Sequence, residues 1–187
     1  VTASNQFSNV TMTYLSEFYN ILDDMIQNMT AATLTDSISN NFIAQMIPHH
    51  EAAIAMSRNL LQYTTCVPLE NIAANIIEEQ TASIANMQNI LDQCGSTTNT
   101  EQELALYQRH FRQITSEMFS KMENSWTSNN INGDFIREMI PHHRGAIQMA
   151  KSALQYNICP ELTPILQAII TSQEESIKRM QRLICCM

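Results

Sequence analysis

Glycine and proline are scarce in this chain: three glycines and five prolines in 187 residues. That leaves little material for the turns of a β protein. Ala, Ile, Leu, Met, Gln and Glu are abundant, so the expectation is an all-α fold. Basic residues are also few, 10 Lys and Arg against 18 Asp and Glu, for a net charge of −8 and a pI near 5.0. This balance argues against nucleic acid or an anionic membrane surface as partner and makes cations the natural complement. No apolar run approaches the roughly 20 residues of a membrane span. The five cysteines form no Cys-x-x-Cys pair, which removes the common zinc and thioredoxin-type patterns and leaves disulfides in an oxidising compartment. The chain opens at Val1 with neither an initiator Met nor a basic, apolar leader. The expectation is an exported protein, periplasmic or extracellular, whose leader has been removed.

What is present is a duplication. Phe42-Ile43-x-x-Met46-Ile47-Pro48-His49-His50-x-x-Ala53-Ile54-x-Met56 returns 93 residues later as Phe135-Ile136-x-x-Met139-Ile140-Pro141-His142-His143-x-x-Ala146-Ile147-x-Met149. Laying residues 42–91 on 135–184 gives 23 identities in 50 positions. The same offset continues upstream through Tyr14/Tyr107, Phe18/Phe111, Ile21/Ile114, Met25/Met118 and Met29/Met122. Residues 1–187 are therefore read as one helical domain built from two 93-residue repeats, about 1–94 and 95–187.

Apolar spacings of three and four predict helices over about 8–30, 37–63, 69–93, 101–124, 134–156 and from the Cys159-Pro160 turn to about 185. Pro48 falls inside the second and is expected to kink it where the histidines sit. Ser128 to Gly133 reads as a turn, and Gly95 as a helix C-cap. The hairpins 37–93 and 130–185 make the core of a four-helix bundle, with an extra N-terminal helix ahead of them. At about 1.5 Å per residue a 25-residue helix is roughly 38 Å long, so the 101–124 helix can serve as a long crossover that inverts the second hairpin against the first. Such a topology brings Cys94 to Cys159 and Cys66 to Cys185 or Cys186. It forbids Cys66 to Cys94, which would span a helix length against the roughly 5.5 Å between Cα atoms that a bridge allows.

At about 100° per residue, Met46, His49, His50 and Met56 share one broad helix face with small Ala53 between them. Met139, His142, His143 and Met149 do the same around Ala146. Imidazole with thioether is a soft donor set that selects Cu(I) or Ag(I) over hard cations. Adjacent histidines point about 100° apart, so one can ligate while the other hydrogen-bonds or faces a second ion. Met25 with Met29, and Met118 with Met122, are i, i+4 pairs, and Met87 and Met180 come from the third helix of each repeat. For these six, packing is the competing role, since Met commonly fills core space. His110 replaces Glu17 of the first copy and reads as a surface residue.

The two MIPHHxxAIxM copies, each followed by Ile-x3-Gln-x2-Ser-Ile-x2-Met (Ile76 to Met87, Ile169 to Met180), resemble the CopM-like family of exported copper-binding proteins over about residues 40–187. That resemblance implies a ferritin-like four-helix bundle that binds Cu(I), and often Ag(I), through Met and His. It implies Met46, His49, His50, Met56, Met139, His142, His143 and Met149 as ligands, and a role in copper tolerance. The family's usual Glu is replaced by Ser83 and Ser176. The function expected is non-enzymatic: copper sequestration, tolerance or delivery, with metal ions and a copper transporter or cuproprotein as partners and a monomeric state. Two competing readings are a ferritin-like di-metal redox enzyme and a structural or adhesion bundle without metal. The enzyme is disfavoured because the chain has no Glu-x-x-His pair.

Overall fold

The computed structural model describes residues 6–184. Six helices follow in order: α1 (Asn9–Thr30), α2 (Ile38–Leu61), α3 (Val67–Cys94), α4 (Glu101–Glu123), α5 (Ile131–Ala153) and α6 (Leu162–Ile184). No strand occurs among the described residues, and no helix is long and apolar enough to cross a membrane.

Helix starts are set by side chains that satisfy otherwise orphaned N–H groups. Ser8 accepts from the Thr11 N–H at 3.1 Å, and Asn130 from the Gly133 N–H at 3.1 Å. Thr100 and Glu103 form a reciprocal capping box at α4. The Asn130 cap corrects the expected 128–133 turn: α5 begins at Ile131, and Gly133 lies in its first turn. Gly95 is the C-cap residue of α3, but its φ of −65° is right-handed. A Cβ there would lie 3.0 Å from the Asn40 amide nitrogen, a contact this flexible side chain relieves by a small shift. Both Pro48 and Pro141 lie inside helices that continue through them.

The expected bundle is formed by α2, α3, α5 and α6, with α2 on α5 and α3 on α6. The outer helices α1 and α4 lie on α2 and α5 respectively. Thus α4 is more than a crossover, since it packs on α5 as α1 packs on α2. Related contacts recur on the two sides: Tyr14 meets Tyr63 edge-on at 5.9 Å and Tyr107 meets Tyr156 at 5.8 Å. Because α2 and α5 are covered by neighbours on several sides, their buried residues run nearly all round the helix rather than along one stripe.

One end of the bundle is tied covalently. Cys94 and Cys159 form the expected disulfide, with Cα atoms 5.1 Å apart. Around it the Cys159 N–H donates to Ser39 Oγ at 2.8 Å, and Asn99 accepts from the Ile38 N–H and donates to the Asn157 carbonyl, each at 2.9 Å. Cys66 has no bridge among the described residues; its expected partners, Cys185 and Cys186, lie outside them.

Candidate metal centre

The four repeated histidines meet at the middle of the core. His49 of α2 and His142 of α5 stack with ring centroids 3.6 Å apart and planes inclined by 20°. The Nε2 of His49 lies 3.0 Å from the His142 carbonyl, and the Nε2 of His142 lies 3.0 Å from the His49 carbonyl. A carbonyl only accepts, so both Nε2 atoms carry the proton and both Nδ1 atoms carry a lone pair. The rings of His50 and His143 lie 5.9 Å from those of His49 and His142, and their Nε2 atoms sit 3.1 Å from Ser83 Oγ and Ser176 Oγ.

All four rings are buried, and each Nδ1 is buried without a hydrogen-bond partner. Burial disfavours the charged imidazolium: it lowers His49 to about 4 and His143 to about 3, and pushes His50 and His142 well below the usual range. In His50, His142 and His143, neighbouring imidazoles add to the effect of burial. The result is four neutral imidazoles, each with Nε2 hydrogen-bonded and Nδ1 unpartnered, and at His49 and His142 that Nδ1 carries a lone pair.

Every other methionine expected at the site is also interior. Met46, Met56, Met139 and Met149, with Met25, Met29, Met118, Met122, Met87 and Met180, all belong to one buried core. Met46 shares a face with His49 and His50 at spacings of three and four, as Met139 does with His142 and His143. Met118 packs closely on the α5 backbone, because a Cβ at Gly145 would lie 2.2 Å from its sulfur. Gly145 is one turn beyond His142, so the missing side chain admits a thioether beside that histidine. His110 is exposed, as expected, with its Nδ1 3.5 Å from the Tyr156 hydroxyl.

Among the described residues, the one group of three His, Cys, Asp or Glu side chains with converging donor atoms is Cys94, Cys159 and Glu161. Its two sulfurs are joined in the disulfide and offer no thiolate.

Sequence reasoning passed over Ser83 and Ser176 as histidine partners, although the signal was there: Ser stands 33 residues after His50 and after His143. It also missed Glu138, which takes the place of Gln45 of the first copy. Glu138 is buried and accepts a hydrogen bond from the Tyr14 hydroxyl at 3.2 Å, and its Oε1 has no partner. Burial and then the charge of Asp134 raise its carboxyl well above the usual range, against the opposing pull of Tyr14 and Arg137. Tyr14 and Tyr19 face it from α1. In the unfolded chain this carboxyl ionises near its ordinary value; in the folded chain it resists, so stability falls as pH rises toward the folded value. Glu138→Gln, which copies the first repeat, should therefore stabilise the protein by at least about 1 kcal/mol at pH 8 and by less at pH 6. Urea midpoints at the two pH values check this; a less stable variant at pH 8 would refute it.

The DUF305 profile, described as a domain of unknown function, matches residues 20–91 and 39–184. The chain belongs to the DUF305 family. None of the curated proteins matches it. Among solved structures, CopM in an Ag-bound form is 30% identical, with 79% of this chain and 95% of that one covered and a TM-score of 0.58. CopM in a Cu(II)-bound form is 28% identical, covering 78% and 95%, with a TM-score of 0.59. A DUF305 fragment from Deinococcus radiodurans, 20% identical over 83% of this chain and 99% of that one with a TM-score of 0.59, shares the fold. These relatives agree with the all-helical DUF305 architecture described above.

Proposed function

We propose that this DUF305 chain binds soft monovalent metal, Cu(I) or its analogue Ag(I), and serves copper sequestration, tolerance or delivery rather than catalysis. The observation that carries the reading is the set of four buried, neutral imidazoles whose Nδ1 atoms have no partner, in a core that also holds ten methionines. Buried polar atoms are normally satisfied, so four orphans repeated about one axis call for a ligand. The structural relatives lend support, since CopM was crystallised with Ag and with Cu(II).

Chemically, the metal would be cargo, and the chain supplies preformed donors. The Nε2 hydrogen bonds to backbone carbonyls fix the tautomer of His49 and His142, and those to Ser83 and Ser176 orient the rings of His50 and His143. Burial keeps the nitrogens unprotonated, so they need lose no proton on binding, and uncharged sulfur is a poor ligand for Zn(II) or Ca(II). A non-catalytic role fits the buried carboxylates: Asp134 is engaged by Arg137 at 2.6 Å and by Ser128, and Glu138 by Tyr14. The disulfide fits an exported protein in an oxidising compartment. A copper transporter or cuproprotein is the partner such a store would serve, and the net charge of −8 suits a monomer.

The test is an anaerobic titration of reduced, metal-free protein with Cu(I) against a chromophoric competitor, with Zn(II) in parallel. Uptake of Cu(I) with little Zn(II) is expected, with a stabilisation of about 2.7 kcal/mol once free metal reaches roughly 100 times Kd. His50→Ala with His143→Ala, which spares the reciprocal His49–His142 pair, should lower the stoichiometry. Unchanged uptake and unchanged thermal stabilisation in that variant would show that these histidines are not ligands.

A further inference from the structure

The two histidine sites are related by the repeat, but their routes to solvent differ. A cleft of about 440 Å³ opens between α3 and α6 and reaches His50. Its distinctive walls are small: Ala82 and Asn86 on α3, with Pro164 and Ala168 on α6. Shifted by the repeat offset, the side chains at the corresponding places around His143 are Glu175, Arg179, Asn71 and Asn75, each as large or larger. Glu175 and Arg179 form an ion pair at 3.2 Å. The groove on that side, about 240 Å³, is lined by Asn71, Ile72 and Arg179 among others, and does not include His143. The serine partners report the same difference, with Ser83 half-buried and Ser176 buried. Glu79, exposed at the rim of the open cleft, offers a carboxylate to an arriving cation.

The geometry points to a one-sided port: soft cations reach the buried histidines through the α3–α6 cleft at His50, and the related approach to His143 is shut by the Glu175–Arg179 pair. This rests on the metal-binding reading and adds the direction of loading to it. An ion arriving from solvent meets the first-copy donors first and passes to the second copy through the core. Residues 82, 86, 175 and 179 are exposed, so exchanging them between copies leaves the core intact. They set access without being ligands.

The experiment compares three proteins: wild type, a closed variant (Ala82→Glu with Asn86→Arg) and an opened variant (Glu175→Ala with Arg179→Asn). Ag(I), which is redox-inert here, is mixed by stopped flow with each. The closed variant should lose the fast phase of uptake while reaching the same final stoichiometry, and the opened variant should gain a second fast phase. A metal-free readout runs alongside: diethylpyrocarbonate labelling of the apo protein, mapped by mass spectrometry, should modify His50 ahead of His143 in wild type, with the order lost in the opened variant. Equal labelling of the two histidines in wild type, or unaltered uptake kinetics in the closed variant, would overturn the port. Absence of Ag(I) uptake by wild type would instead defeat the metal-binding reading, and the labelling order would still decide whether the cleft is the route to His50.

Discussion

Metal-free protein should lose stability steeply between pH 6.5 and pH 5, well above the range in which most proteins denature in acid. Four histidines are held neutral by burial, His49 to about 4 and His143 to about 3, with His50 and His142 also well below their ordinary value. Below about 6.5 the unfolded chain takes up protons on all four and the folded chain does not, so their contribution is complete above that pH and is lost as pH falls toward the folded values. Each group changes stability by about 1.4 kcal/mol per pH unit in that window. Glu138 works in the opposite sense, because its raised carboxyl binds a proton more readily when folded, and it offsets about one histidine. The net slope is roughly 4 kcal/mol per pH unit, against a total stability of about 5–15 kcal/mol for a typical domain. Urea midpoints at pH 7.5, 6.5, 5.5 and 5 measure it. A flat profile from 7 to 5 would mean that the histidines are not buried in solution. Metal-loaded protein should hold its midpoint further into acid, since protons must then displace the ion.

Removing the Cys94–Cys159 bridge should cost roughly 4 kcal/mol on the chain-entropy estimate for a closed loop of this size. The bridge joins residues 65 apart in sequence and encloses all of α4 and α5. Both sulfurs are buried, so Cys94→Ala with Cys159→Ala replaces them with an apolar side chain that needs no partner. The loss is read from denaturant midpoints of the double variant against wild type. An unchanged midpoint would mean that the hydrogen bonds of Ser39 and Asn99 already hold this end closed.

The elements of this fold were legible in the sequence because their causes are local. Tyr14, Phe18, Met25 and Met29 mark a buried stripe by spacing alone, and the absence of Glu-x-x-His and of Cys-x-x-Cys narrowed the chemistry. The disulfide was also legible, because only an inverted second hairpin brings residue 94 to residue 159. What spacing could not show was how each imidazole is held. The partner of His49 is a backbone carbonyl 93 residues away, and a carbonyl leaves no mark in a sequence. Ser83 and Ser176 did leave one, an identity at a fixed distance from each histidine, but a repeated serine on a helix also reads as ordinary surface. Glu138 was hidden for a different reason: a Gln-to-Glu exchange between copies looks conservative until burial is known. The start of α5 was misplaced because Gly133 was taken as a breaker, whereas the Asn130 side chain makes it a first-turn residue.

The reciprocal His49–His142 contact has a bearing on how such a chain could arise. Each ring borrows its acceptor and its stacking face from the other copy, so a half-length chain with one motif could reproduce this contact only by meeting an identical chain about a twofold axis. An isologous homodimer is the arrangement that supplies both partners at once. Fusing two such subunits head to tail keeps the contact and removes the requirement that the two faces stay alike. Gln45 opposite Glu138, Ala52 opposite Gly145 and Asn86 opposite Arg179 are differences of that kind, open to a covalent pair and closed to a symmetric one.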